Sequence, residues 1–368
     1  MSTMDVSPDS GRAAPRAGVL PAGPRDSLCD VGGVTVGHHT LAAGPVQTGV
    51  TVVRPHGGDV YRDKVPAAAT VLNGFGKSVG LVQVDELGVL ETPIALTNTF
   101  SVGTVMNAQI RQAVAANPEI GRAWPTVNPL VFECNDGYLN DIQAMAVTEA
   151  DYVAALRSAS ADCMQGAVGA GRGMSSFSFK GGIGTASRQT RALDGLSWTV
   201  GALVLCNFGR LPLLTVTGRP FGRWLEHERG QGALPPGDDG SSPEKGSIIL
   251  LLATDAPLDA RQLRRLSLRA GAGLARTGSV FGHGSGDIAL AFSTAYTVPH
   301  LAERPMPAMA MLHETRIDPL FEAAAEAIEQ AILHALWHAD TVGGRDGHVR
   351  LALREAIPAW RQWLARAP

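Results

Sequence analysis

Three stretches of this chain are apolar at almost every position: Val200 to Leu205, Ile248 to Ala253 and Ile288 to Phe292. A strand with one face in water alternates apolar and polar side chains, so a strand that does not alternate is covered on both faces. Helical spacing surrounds these strands. In Val102 to Ala116, residues Val105, Ala108, Ile110 and Val114 recur on one side. Asp259 to Arg276 and the Ala-rich Asp318 to Ala339 also read as helices. Doubly covered strands with helices before and after them predict a mixed α/β fold of four stacked layers: helix, sheet, sheet, helix.

Local signals fill in this frame. Val31 to Gly37 and Thr48 to Val53 read as two short strands joined by a turn. Ala67 to Leu72, Ile94 to Asn98 and Leu130 to Glu133 read as further strands. Asn117-Pro118 stops the first helix. Thr148 caps a helix running to Ala159, with Asp151 three residues on as a variant capping box. Asp259 caps the next helix, and Pro319 sits in the first turn of the last. Met1 to Arg25 is rich in Pro, Gly, Ser and Ala without a hydrophobic signal core, so residues 1–25 are expected to be a disordered tail. Glu228 to Lys245 is the one long polar break in the remainder, and 228–246 reads as a linker.

Composition removes several classes of function. A net charge of −3, with no block of Lys and Arg interleaved with aromatics, argues against a nucleic-acid surface. No apolar run reaches membrane-spanning length. Cys29, Cys134, Cys163 and Cys206 form no Cys-x-x-Cys pair and read as free thiols of a reducing compartment, so a cytoplasmic location is expected. His334 and His338 share a helix face, but Ala335 stands where a zinc-protease helix carries glutamate; no metal and no cofactor are expected. Gly166 to Gly173 lacks the preceding strand and following helix of a dinucleotide site, and reads as a close crossing of backbones.

Four segments carry candidate chemistry. Gly246-Ser247 stands where the polar break ends and an apolar strand begins. A serine released as an amino terminus by cleavage at that bond has its own α-amine, ordinarily of pKa about 7.7–8.0, as a base. In Gly282-His-Gly-Ser-Gly-Asp287, Ser285 and Asp287 are two residues apart on an extended chain and point the same way, as a turn cap or as a support for a nearby amine. Asn207 ends an apolar strand, either closing a turn or donating to a developing oxyanion. Glu133 follows an apolar strand and needs a partner, either a substrate ammonium or an internal group; Tyr138 lines the same cleft or packs in the core. His283 offers a serine–histidine alternative that an α-amine base makes unnecessary.

In this order, the segments Asp30-Val-Gly-Gly-Val-Thr-Val-Gly-His38, Glu91-Thr-Pro-Ile94, Glu133-Cys-Asn-Asp-Gly137, Phe179-Lys-Gly-Gly-Ile-Gly-Thr185, Asn207-Phe-Gly209, Gly246-Ser-Ile248 and Gly284-Ser-Gly-Asp-Ile288 resemble the DmpA family of self-processing aminopeptidases, which includes L-aminopeptidase/D-esterases and β-peptidyl aminopeptidases. The resemblance implies an αββα sandwich like that of N-terminal-nucleophile hydrolases but with different strand connectivity. It implies cleavage into residues 26–246 (after the tail) and 247–368, both parts of one domain, assembled as a homotetramer or larger. It implies Ser247 as nucleophile, Ser285 and Asp287 as its support, Asn207 in the oxyanion hole, Glu133 on the substrate's free amine and Tyr138 near the pocket. The substrates implied are short peptides, amino-acid amides or esters. Asp287 stands where relatives can carry Glu, and Arg172 stands in a Gly-rich run where a small residue is expected. The alternatives are an endo-acting oligoamide hydrolase, whose nucleophile is usually threonine, and an uncleaved, non-enzymatic small-molecule binder.

Overall fold

The computed structural model describes residues 13–192, 195–230 and 246–366. Among them, nine strands have five or more residues: β1 (Thr35–Ala43), β2 (Val46–Arg54), β3 (Asp63–Gly74), β4 (Ile94–Asn98), β5 (Leu130–Cys134), β6 (Gly182–Gln189), β7 (Thr199–Asn207), β8 (Ser247–Thr254) and β9 (Gly286–Ser293). Five helices have nine or more: α1 (Val102–Ala116), α2 (Glu149–Arg157), α3 (Phe221–Gly230), α4 (Ala260–Arg276) and α5 (Asp318–Trp337).

The strands form two principal sheets. The smaller has the order β1-β2-β4-β5, and only its β4–β5 pair is parallel. The larger runs β3-β9-β8-β7-β6, with two short strands attached to β3; its β8–β9 pair is parallel and the others antiparallel. Alternation along the central strands shows why they lack polar positions. Val204, Leu250, Leu252 and Ala291 pack with Leu263, Leu266, Ile328 and Ile332 of α4 and α5. Their sequence neighbours Leu203, Leu205, Ile249, Leu251 and Leu290 pack against Ile94, Leu96, Leu130 and Phe132 of the smaller sheet. The outer face of that sheet, through Val50, Val52, Ala95 and Val131, meets Val105 and Ala108 of α1 and Tyr152 and Ala155 of α2. The four layers are therefore helix, sheet, sheet, helix.

The caps are those that the local sequence demands. The Asp259 side chain accepts the Gln262 N–H while Gln262 reaches back, and Thr148 and Asp151 form the second capping box. The Gly-rich run does bring backbones close: a methyl group on Gly173 would lie 2.3 Å from the Gln47 carbonyl oxygen, and one on Gly166 2.4 Å from that of His338. Arg172, between them in sequence, donates from Nε to Gln47 Oε1 at 2.7 Å.

Three boundaries differ from the sequence reading. Residues 13–25 are not a disordered tail. Ala17 and Leu20 are buried, and the Val19 and Leu20 N–H groups donate to the two oxygens of Glu326 at 3.0 Å each. Arg188, itself buried, donates to the Ala17 carbonyl and pairs with Asp26. These partners lie more than 160 residues away, so tail composition alone does not announce them. Helix α3 continues to Gly230, so the expected linker at 228–246 begins inside a helix, and its residues 231–245 lie outside the described ones. The first hairpin is longer than read, because its tight turn is at Gly44, whose φ is 55°.

Candidate active site

Register in the larger sheet assembles the first half of the site. Ser247 is the first residue of β8; Asn207 lies opposite it on β7, and Gly286 beside it on β9. By the two-residue period, Ser247 and Asn207 share the face of Ile249, Leu251, Leu203 and Leu205, which looks toward the smaller sheet. Both are buried, at 5% and 7% exposure. The Gly286 N–H donates to Ser247 Oγ at 3.1 Å. On either side of Gly286, the Ser285 hydroxyl donates to Asp287 Oδ1 at 2.5 Å, and both residues are buried.

Gly246 is forced to be glycine by close approach. A methyl group there would lie 2.2 Å from the Asn207 carbonyl oxygen and 2.6 Å from Phe208 Cα. Its φ is not in the left-handed region, so the demand is steric and not torsional.

Asn207 is held at both ends of its amide. Its Oδ1 accepts the Ser175 N–H at 2.9 Å, and its Nδ2 donates to the Asn135 carbonyl at 2.8 Å. An amide nitrogen carries two hydrogens, so a second N–H remains for another acceptor. The loop supplying Ser175 is organised by Lys180, which is fully buried. Its three ammonium donors match three carbonyls, of Gly171, Met174 and Gly181, at 2.7–2.8 Å. Burial, aided by Arg172, holds the Lys180 pKa well below the ordinary lysine range, against Asp136 and Cys206.

The second half comes from the end of the smaller sheet. Glu133, at 3% exposure, accepts the Lys77 N–H at 2.8 Å on Oε1 and the Thr99 hydroxyl on Oε2. These internal donors satisfy the need for a partner that the sequence posed, and they leave further lone pairs on the carboxylate. Glu133 and Asn135 are two residues apart, so the Asn207–Asn135 bond ties the two halves together. Tyr138 is 38% exposed and does not pack in the core. Its ring stacks on His348 at 4.5 Å, and the Arg350 guanidinium lies 3.7 Å from the ring centre.

Other sequence candidates fall elsewhere. His283 is exposed, with its ring 6.1 Å from that of Phe75. His334 donates from Nδ1 to the Thr185 carbonyl at 2.7 Å, and His338 donates from Nδ1 to the His334 carbonyl at 3.0 Å. No group of three or more metal-type side chains occurs among the described residues. Nor does a described helix have the length and apolarity to cross a membrane. Cys29, Cys134 and Cys206 are buried free thiols.

Sequence reasoning missed the whole segment Asn73-Gly-Phe-Gly-Lys77, which closes β3 and leads out of it. A bulge shifts the β3–β9 register between Asp287 and Ile288, and Asn73 lies opposite Asp287. Its side-chain amide donates to the Gly282 carbonyl at 3.0 Å and to that of Ser285. Two glycines and an asparagine at the end of an apolar run were the available signal. Thr99 and Ser175 had none, because each acts through one bond to a residue distant in sequence.

Two stacked sheets between helices define the architecture of the N-terminal-nucleophile hydrolases, and a serine opens a central strand of the larger sheet. The chain belongs to peptidase family S58, whose model matches residues 26–350. It is a serine-type aminopeptidase of the DmpA group. The β-peptidyl aminopeptidase BapA of Sphingosinicella microcystinivorans is 40% identical over 341 residues, covering 89% of this chain and 85% of that protein. The solved β-aminopeptidase of a Burkholderia species superposes with a TM-score of 0.84 at 39% identity, covering 94% and 96% of the two chains. The L-aminopeptidase D-Ala-esterase/amidase of Ochrobactrum anthropi, described as a variant of the Ntn hydrolase fold, gives 0.84 at 33% identity, covering 97% and 98%. Family membership displaces the non-enzymatic reading.

Proposed function

We propose that the chain cuts itself between Gly246 and Ser247 and then releases amino-terminal residues from short peptides, amino-acid amides or esters through an acyl-enzyme. One observation carries this reading. Ser247 is the first residue of a central strand, with its hydroxyl oxygen 3.1 Å from the Gly286 N–H and its neighbour Gly246 pressed against Asn207.

In the first reaction Ser247 Oγ attacks the Gly246 carbonyl carbon. The C–N bond breaks, the nitrogen takes a proton to become an amine, and an ester forms. Water opens that ester, leaving a Gly246 carboxylate and a free Ser247. In the second reaction the Ser247 hydroxyl gives its proton to its own α-amine and attacks the substrate carbonyl. The bond to the leaving amine or alcohol breaks, and that group departs with the proton returned by the α-ammonium. Water then hydrolyses the acyl-serine ester to release the acid and restore the hydroxyl. The Gly286 N–H favours the oxygen as it gains negative charge, and the second N–H of Asn207 serves the substrate oxyanion. The Ser285–Asp287 pair beside Gly286 supports the amine when it is protonated. Glu133 takes the ammonium of the substrate, which limits attack to the first residue, and Tyr138 borders the pocket. No step calls for a metal. Cleaved protomers, each of residues up to 246 and 247–368, assemble as a tetramer or larger.

Serine at 247 favours this over the endo-acting oligoamide hydrolase. Intact mass measurement of the purified protein tests it. Two fragments meeting at 246/247 are expected, while Ser247→Ala stays one 38.5 kDa chain without activity on aminoacyl anilides. A variant that still splits and turns over refutes the nucleophile assignment.

A further inference from the structure

Most glycines around the site are structurally compelled. A methyl on Gly286 would lie 2.7 Å from the Phe75 carbonyl oxygen, and Gly182 has a φ of 140°. Gly76 is different. Its φ lies outside the left-handed region, and a methyl there meets nothing closer than ordinary contact. Neither torsion nor packing explains a glycine that costs backbone entropy on folding.

Its position supplies a reason. The three atoms nearest such a methyl would be Glu133 Oε1 at 3.5 Å, Gly286 Cα at 3.8 Å and Ile288 Cδ1 at 3.8 Å. Gly76 therefore occupies the gap between the carboxylate and the strand whose Gly286 N–H holds the Ser247 hydroxyl. The next residue, Lys77, anchors Oε1 through its N–H, so the wall of this gap cannot drift away from the carboxylate. Gly76 is half-buried whereas Glu133 is almost wholly enclosed. The mouth beside it carries the exposed Phe75 ring, with the Lys77 ammonium 4.5 Å from the ring centre.

We infer that Gly76 is a specificity-determining residue: the space left by its missing side chain sets how long the linkage between substrate ammonium and scissile carbonyl can be. The inference rests on Glu133 as the ammonium site. An added methylene between amine and carbonyl carries the ammonium deeper past the nucleophile. The methyl-sized space beside Glu133 Oε1 accepts the extra methylene of a β-amino acyl group, and a methyl at position 76 fills that space.

The test compares glycyl- and β-alanyl-p-nitroanilide, which differ by that one methylene, on the wild type and on Gly76→Ala. The β-to-α ratio of kcat/KM is expected to fall about tenfold or more in the variant, mainly through KM, as a methylene-sized change in a pocket typically does. A ratio within twofold of the wild type overturns the inference. So does a variant that fails to fold in a thermal melt, because the methyl would then not have free space. Failure of the underlying reading appears separately: a wild type that cuts N-acetylated substrates as readily as free amines removes Glu133 from amine recognition.

Discussion

The two halves of the site are built by different means. On the nucleophile side, Asn207, Ser247 and Gly286 are neighbours on three consecutive strands, and the hydrogen-bond ladder fixes their spacing. On the proposed amine side, Glu133 lies one residue from the end of its strand, but its donors come from two separate segments, at Lys77 and Thr99. Ladder-built positions resist displacement because moving one residue breaks the pairing of a whole strand. Loop-built positions shift at small cost. Changes on the first side should therefore stop the reaction, and changes on the second should alter which substrates it takes.

The most severe break of this contrast is Gly246→Ala. A methyl 2.2 Å from the Asn207 carbonyl cannot fit, so the Gly246 carbonyl must leave its place before Ser247. Misplacing a reacting atom by about 1 Å costs on the order of 10²-fold. Self-cleavage followed by gel electrophoresis should slow by at least about that factor. Unchanged splitting would show that the start of β8 is not rigidly placed.

Next is Asn207→Ala. It removes the N–H proposed to serve the oxyanion and also frees the Ser175 N–H and the Asn135 carbonyl, so the two halves come untied. A fall of about 10²–10³ in kcat is expected, as for other oxyanion donors. An effect confined to KM would place Asn207 in binding and weaken the division proposed here.

Glu133→Gln should be milder and of another kind. A charged hydrogen bond to an ammonium contributes about 1.5–3 kcal/mol, so KM for free-amine substrates should rise about 10–100-fold with kcat little altered. Steady-state kinetics on an aminoacyl anilide distinguish the outcomes. A matching loss of kcat would mean that the amine side also positions the reacting carbonyl.

The same contrast explains what the sequence disclosed. Unbroken apolar runs exposed the central strands and hence the layers, and a serine, an asparagine and an aspartate at the ends of those runs stood out as polar residues at strand mouths. Register then brought 207, 247 and 286 together without further information. Glu133 was visible for the same reason. Its donors were not, since a backbone N–H at Lys77 leaves no trace in residue type and Thr99 looks like any helix-preceding threonine. The docking of Ala17 and Leu20 onto α5 was hidden too, because only the tertiary fold brings Glu326 and Gln330 to that segment.

The joint between the halves gives the smallest predicted effect, and it is one of stability. Asp136 follows Asn135 and is fully buried; burial pushes its carboxyl pKa up to about 6, against hydrogen bonds from Thr48 and Asn140. A carboxyl whose folded value exceeds its unfolded value of 3.8 binds more protons when folded. Its contribution to stability is complete below about pH 4 and is lost as pH rises through about 6. Asp136→Asn removes this titration while keeping an acceptor for the Asn140 amide, which donates to Asp136 Oδ1 at 3.0 Å. The melting temperature of the variant relative to wild type should therefore rise by a few degrees between pH 4 and pH 7. Since Asn207 meets the Asn135 main chain and not the Asp136 carboxylate, kcat at pH 7 should change less than about threefold. A large loss of kcat without the pH-dependent gain in stability would show that the joint transmits strain from one half to the other, and the two halves would then have to be treated as one unit.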